Sequence, residues 1–307
     1  MKLLLLSVLL SALPAALYAL PLPGLAGQAQ GWLAGPSETQ HHLDPVLIGG
    51  GPDEQADLGS GEEDPEPSAQ ILKVNEASGE SPIGRPPLEF GDIAVDPLGN
   101  ADRCASDRCR WPSAANGQVL VPYEISPSYS SNERSVIMAA ILSFSPSTCI
   151  SFRPRTNERD YLFIEPQTGC WSFIGRTGGR QVVSLQRNGC VFLGTAQHEL
   201  LHALGFHHEQ NRGDRDGFVD ILLQNVMPGM EHNFRKVNTN NLGTRYDYAS
   251  IMHYSRNAFT RNGRPTIVPK PDPNVPIGTS RQFTSTDITK INRLYCSRGA
   301  RENILLL

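Results

Sequence analysis

No cysteine occurs before residue 104 of this 307-residue chain. No thiolate can therefore act in its first third. No CxxC pair occurs anywhere, which argues against a cysteine-built metal site. No Asn-x-Ser/Thr sequon is present, so N-linked glycosylation is not expected. Aromatic residues are scarce at 7%, and charged residues reach only 19%. Hydrophobic residues at 39% nevertheless exclude a wholly disordered chain. A net charge of −4 removes nucleic acid as the default partner. After the first nineteen residues no apolar run is long enough to span a bilayer.

What is present divides the chain. Residues 1–19, MKLLLLSVLLSALPAALYA, place one lysine before an apolar run broken by Pro14 and closed by small residues near Ala19. That is the anatomy of a secretory signal peptide rather than a membrane anchor, which needs about 20 continuous apolar residues. Secretion is thus expected, with storage in granules compatible with it. Residues 20–99 hold two basic and fourteen acidic residues, a balance of −12, whereas residues 100–307 hold twenty-four and seventeen, a balance of +7. The acidic stretch is rich in Gly, Pro, Ser, Asp and Glu, and through residue 80 it shows no helical or strand periodicity. It reads as a flexible pro-segment. From Pro87 the text turns to PLEFGDIAVDPLGN, where Ile93, Val95 and Leu98 suit burial against a folded partner. Six cysteines follow: Cys104, Cys109, Cys149, Cys170, Cys190 and Cys296. An even number in a secreted chain predicts three disulfides, and spacing alone does not choose among the 15 pairings.

Strands are predicted at Leu120–Ser126, from Cys149, from Tyr161 and from Gly178, and helices at RSVIMAAILSF, VFLGTAQHELLHALGF and ITKINRLYC. Ser130 with Glu133 and Thr284 with Asp287 offer capping boxes to the first and last helices. Strands and helices mix without regular βαβ alternation, which predicts an α+β fold.

The chemistry resides in HELLHALGFHHEQNRGDRD, from His198. His198 and His202 are four apart and share one helix face. Two imidazoles so placed can bind one zinc ion, and Glu199 beside them can take a proton from a water at the metal. Gly205 permits positive φ, so the helix can stop and the chain turn. His208 can then return as a third ligand, leaving positions open for water and substrate. His207 reads as a surface or packing residue, and His41, His42 and His232, without partners at ligand spacing, as solvated. SIMHY places Met252 where it could floor the site, with Tyr254 two residues on.

HExxHxxGxxH followed by a Met-turn resembles the metzincins. With Glu209 directly after the third histidine and Tyr254 two after the methionine, the text closely resembles the astacin family of zinc endopeptidases, over about Asn100 to Cys296. NADRCASDRCRWP looks more particularly like the six-cysteine fish hatching enzymes. The resemblance implies a metzincin zinc-protease fold with two subdomains flanking an active-site cleft. It implies one Zn²⁺ on His198, His202 and His208, with Glu199 as general base and then proton donor. Tyr254 would stabilise the oxyanion. Disulfides would be Cys149–Cys296, Cys170–Cys190 and Cys104–Cys109. Residues 20–99 would be a pro-segment with an aspartate switch, 100–297 the catalytic domain, and 298–307 a short tail. The switch would be Asp92 in LEFGDI, although Phe90 adjoins the glycine where the family motif F-x-G-D leaves one residue between. Cleavage at Gly99–Asn100 would free a terminus that packs toward Glu209.

The expected activity is zinc-dependent hydrolysis of extracellular proteins by a secreted enzyme made as a zymogen. Egg-envelope glycoproteins would be a substrate. The protein would be a monomer, without nucleic-acid partner or membrane anchor. A dead binding protein on this scaffold would lack a ligand or Glu199, and both are kept. A cysteine-switch metzincin would need a cysteine in the pro-segment.

Overall fold

The computed structural model describes residues 64–79, 84–95 and 109–296. All lie in one compact unit, Gly59–Leu307. The expectations for residues 1–63, His41 and His42 among them, and for Leu98, Asn100, Cys104 and the tail fall outside the described residues. No described helix is long and apolar enough to cross a membrane.

Helix α1 (Pro67–Ala77) comes first, then the short strands β1 (Leu88–Glu89) and β2 (Ile93–Ala94). β3 (Val119–Ile125), α2 (Ser131–Leu142), β4 (Ile150–Pro154), β5 (Tyr161–Glu165), β6 (Cys170–Phe173) and β7 (Arg180–Leu185) follow. α3 (Leu193–Ala203), a small antiparallel pair β8 (Val219–Ile221) and β9 (Ile267–Pro269), and α4 (Ser285–Ile291) complete the molecule. This is the expected α+β mixture.

The main sheet runs β1-β2-β6-β7-β5-β3-β4. β7, β5, β3 and β4 are mutually parallel, and β6 is antiparallel to β7. Alternation along β5 buries Leu162 and Ile164, which join Ile137 and Ile141 of α2 and Leu200 and Leu201 of α3 in the larger core. A smaller core gathers Phe234, Tyr246, Tyr254, Phe259 and Ile267. Both capping boxes form, on α2 and α4. Disulfides join Cys149 to Cys296 and Cys170 to Cys190.

The structure departs from the sequence expectation in several places. Helix α1 forms inside the stretch expected to be flexible. Ile71 and Val74, three apart, share one helix face, but three apolar residues within one turn are too few to announce an amphipathic helix. They are buried against different neighbours: Ile71 and Val74 in the larger core, Leu72 in the smaller. Docking, rather than propensity, holds so short a helix. Strand β6 was not expected because CWSF is four residues long, and β8 and β9 fall in the segment expected to be loop. The terminal helix begins earlier than expected and passes into a π-helical turn at Asn292–Cys296.

Candidate metal centre and active site

α3 carries His198, Glu199 and His202, all fully buried. At its end Gly205 takes φ 99°. Its N–H donates to His202 O at 2.8 Å and that of Phe206 to Leu201 O at 3.0 Å, a Schellman closure. The remaining carbonyls find side chains: Trp111 Nε1 donates to Ala203 O at 2.9 Å and Tyr295 hydroxyl to Leu204 O at 2.7 Å. The turn delivers His208 to the two helical histidines.

His198, His202, His208 and Asp92 converge, their ligand atoms all within 4.8 Å of one another. Asp92 lies 3.1 Å from His198 Nε2, 3.4 Å from His202 Nε2 and 3.1 Å from His208 Nε2. His198 Nδ1 donates to Ile251 O at 2.9 Å and His202 Nδ1 to Phe206 O at 2.7 Å. Those bonds leave the Nε2 lone pairs of both rings facing the centre. Burial lowers the pKa of His202, and holds His208 down to about 3; neutral imidazole is the form that ligates a metal. Burial would raise Asp92, but His208, His202 and His198 hold it well below the usual carboxylate range.

A metal fits this donor set. Three imidazole nitrogens converge on one centre, and His202 Nε2 and Asp92 Oδ1, both buried, have no hydrogen-bond partner. Both oxygens of buried Glu199 are likewise unpartnered. Burial, then the nearby Asp92, pushes Glu199 well above the ordinary value. Buried polar groups without partners are costly unless another group satisfies them.

The segment 250–254 packs beside the histidine segment. Met252 is buried, its carbonyl accepting from Glu209 N at 2.9 Å, and Gln210 Oε1 accepts from Tyr254 N at 2.9 Å. The fully buried Tyr254 donates its hydroxyl to the Phe90 carbonyl. Gly91 at φ 83° lies against it: a Cβ there would meet Leu72 Cδ2 at 2.6 Å and Tyr254 hydroxyl at 3.0 Å. Glycine is thus required twice, for conformation and for space.

Glu209 is engaged from within the fold. It accepts from Arg212 at 2.9 Å, Asp247 N at 2.8 Å and Lys290 at 2.5 Å. His207 is not simply superficial: it meets the Phe90 ring edge-on. His232 is exposed and accepted by Gly229 O at 2.7 Å. Sequence reasoning missed Gln210, Asn75 and Lys290. Gln210 adjoins the motif and was within reach; Asn75 and Lys290 lie 123 and 82 residues from His198 and His208, and carried no local signal.

A buried three-histidine cluster with an adjoining glutamate on a helix ending at a glycine turn defines a metal-dependent peptidase. The chain belongs to the astacin family (peptidase family M12A), whose pattern matches residues 106–296. It is a metalloendopeptidase. It is 45% identical over 250 residues to the low choriolytic enzyme of Oryzias latipes, covering 79% of this chain and 90% of that one. It is 49% identical over 209 residues to high choriolytic enzyme 1 of the same fish, covering 68% and 77%. The solved structure of that second relative, a hatching enzyme zinc-protease, superposes with a TM-score of 0.61 at 51% identity, covering 64% of this chain and 98% of that one.

Proposed function

We propose that this chain is a secreted zinc endopeptidase, made as a zymogen, that digests egg-envelope protein. The observation that carries the zymogen reading is Asp92, whose carboxylate stands among the three histidines and excludes substrate from them. His198, His202 and His208 would hold the zinc. When bound, zinc supplies Lewis acidity that makes water nucleophilic near neutral pH and polarises the scissile carbonyl. Glu199 takes the proton of the attacking water and passes it to the leaving amine. Tyr254, which here donates to a peptide carbonyl, donates to the oxyanion once Phe90 has left. Met252 floors the site. Residues 1–19 direct secretion, and residues 20–99 are discarded by cleavage before Asn100. Likeness to choriolytic enzymes supports the egg envelope as substrate.

The test is to activate the purified full chain, measure its metal content, and assay isolated fish egg envelope and casein. Glu199→Gln is expected to keep zinc and lose at least about a hundredfold in rate. Undiminished cleavage by that variant would sink the assignment of Glu199. Digestion of casein with an untouched envelope would sink the hatching role alone.

A further inference from the structure

We infer that His207 and Arg235 form a specificity subsite of the cleft, one that takes an aromatic side chain with a carboxylate beside it. The inference deepens the proposed peptidase reading and rests on it.

Residues 88–94 run from the walls at His207 and Arg235 to the histidine cluster. β2 adds to the sheet edge along β6, and Asp92 reaches the histidine cluster. Backbone pairing at a sheet edge is indifferent to sequence, so selectivity must come from the walls that side chains touch. Phe90, two residues before Asp92, takes φ 51°, an uncommon conformation for a bulky residue. Its ring is buried, edge-on to His207 with centroids 6.1 Å apart. The Arg235 guanidinium lies 5.9 Å from the same ring centroid. Arg235 Nη2 also lies 3.3 Å from the Glu89 carboxylate. One arginine therefore contacts two successive side chains, an acid and an aromatic.

Both walls are indexed to the metal centre. His207 directly precedes His208. Arg235 follows a 3₁₀ turn at Glu231–Phe234, and its Nε donates to His232 O at 3.2 Å. The fully buried Asn211, three residues after His208, donates to Asn233 O at 2.9 Å and Arg235 O at 2.7 Å. A side chain bound between these walls thus has a set distance from the scissile bond. Among the described residues Glu89 is the carboxylate partner of Arg235, so departure of the segment leaves the guanidinium without that counter-charge. The pair is about half exposed. It should therefore discriminate between peptides by about two- to fivefold rather than dominate affinity.

The first measurement leaves the enzyme unaltered. A synthetic peptide of residues 84–95 should inhibit the activated enzyme, with its Glu89→Gln and Phe90→Ala forms each weaker by about two- to fivefold. The second profiles cleavage of a peptide library by wild type, Arg235→Lys and Arg235→Glu. Wild type and Arg235→Lys should favour a carboxylate next to an aromatic at one position relative to the cut, and Arg235→Glu should favour Lys or Arg there. Equal inhibition by all three peptides, or an acidic preference unchanged in Arg235→Glu, overturns the subsite. Where Arg235→Glu does not fold, the peptide comparison decides alone. Failure of wild type to cleave any peptide overturns the peptidase reading instead.

Discussion

Asp92 combines a charge with full burial, and its position depends on its neighbour Gly91. Replacing the carboxylate, Asp92→Ala, should shorten the lag of autoactivation, followed as the appearance of casein cleavage after purification of the precursor. Gly91→Ala should do the same with the carboxylate intact. A methyl there meets Leu72 and Tyr254, in a backbone conformation that costs alanine about 1 kcal/mol or more. An unchanged lag in both would refute the switch. His253 offers a separate residue-scale expectation. It accepts from Tyr246 hydroxyl at 2.8 Å through Nε2 and donates to Tyr254 O at 2.8 Å through Nδ1, a neutral tautomer on both sides. Burial brings its pKa down to about 4 in the fold, against about 6.5 unfolded. Between those values the unfolded chain holds the extra proton, so stability present above pH 6.5 is lost as pH falls toward 4. The urea midpoint of His253→Gln should fall less than that of wild type between pH 7 and pH 5. The histidine spacing and Gly205 were legible in the text because both act within one turn of helix. The partner of His207 was not, because Phe90 lies 117 residues away.

At the scale of elements, α1 is the part with no sequence signal and a clear task. Ile71 and Val74 enter the larger core while Leu72 enters the smaller, so one short helix bears on the two clusters that border the cleft. Burying these three side chains contributes roughly 5–9 kcal/mol before ordering entropy is subtracted. Asn75 adds direction. Its amide accepts from Cys170 N at 2.9 Å and donates to Cys170 O at 2.7 Å and Gly91 O at 2.9 Å. It completes the edge of β6 and ties that edge to the loop that carries Asp92. Asn75→Ala leaves those backbone groups unpaired at a cost of about 1–3 kcal/mol. A synthetic segment 64–95 carrying it should therefore inhibit the activated enzyme at least about fivefold less well, with Asp92 untouched. Equal inhibition would remove Asn75 from the lock. The helices α2, α3 and α4 were legible because capping boxes or the HExxH repeat mark them. Strands β6, β8 and β9 were not, since three or four residues carry no usable period.

Over the whole molecule, the Cys149–Cys296 disulfide joins residues 147 apart in sequence. It ties the start of β4 to the π-helical turn after α4. Replacing both cysteines by alanine should lower stability by about 2–5 kcal/mol, measured as the urea midpoint of the precursor. An unchanged midpoint would mean that the cores alone carry this connection. The opposed charges of residues 20–99 and 100–307 act at the same scale, and Glu89 with Arg235 is one instance of them. By itself the sequence determined the mixed α+β class, the helix that presents His198, Glu199 and His202, and the glycine turn that returns His208. It also singled out Asp92, Met252 and Tyr254 as candidates. The helix and its glycine turn follow from periods and spacings a few residues long, which local geometry enforces, whereas Asp92, Met252 and Tyr254 stood out through resemblance to the astacin family. Only the tertiary structure decided that part of the acidic segment folds as a helix against both cores, and that its strands extend the sheet. It alone decided that Glu209 is held by Arg212 and Lys290 and that Arg235 meets Glu89 and Phe90. Each of those depends on contacts between residues far apart in the chain, whose energy comes from burial and pairing that no local pattern encodes.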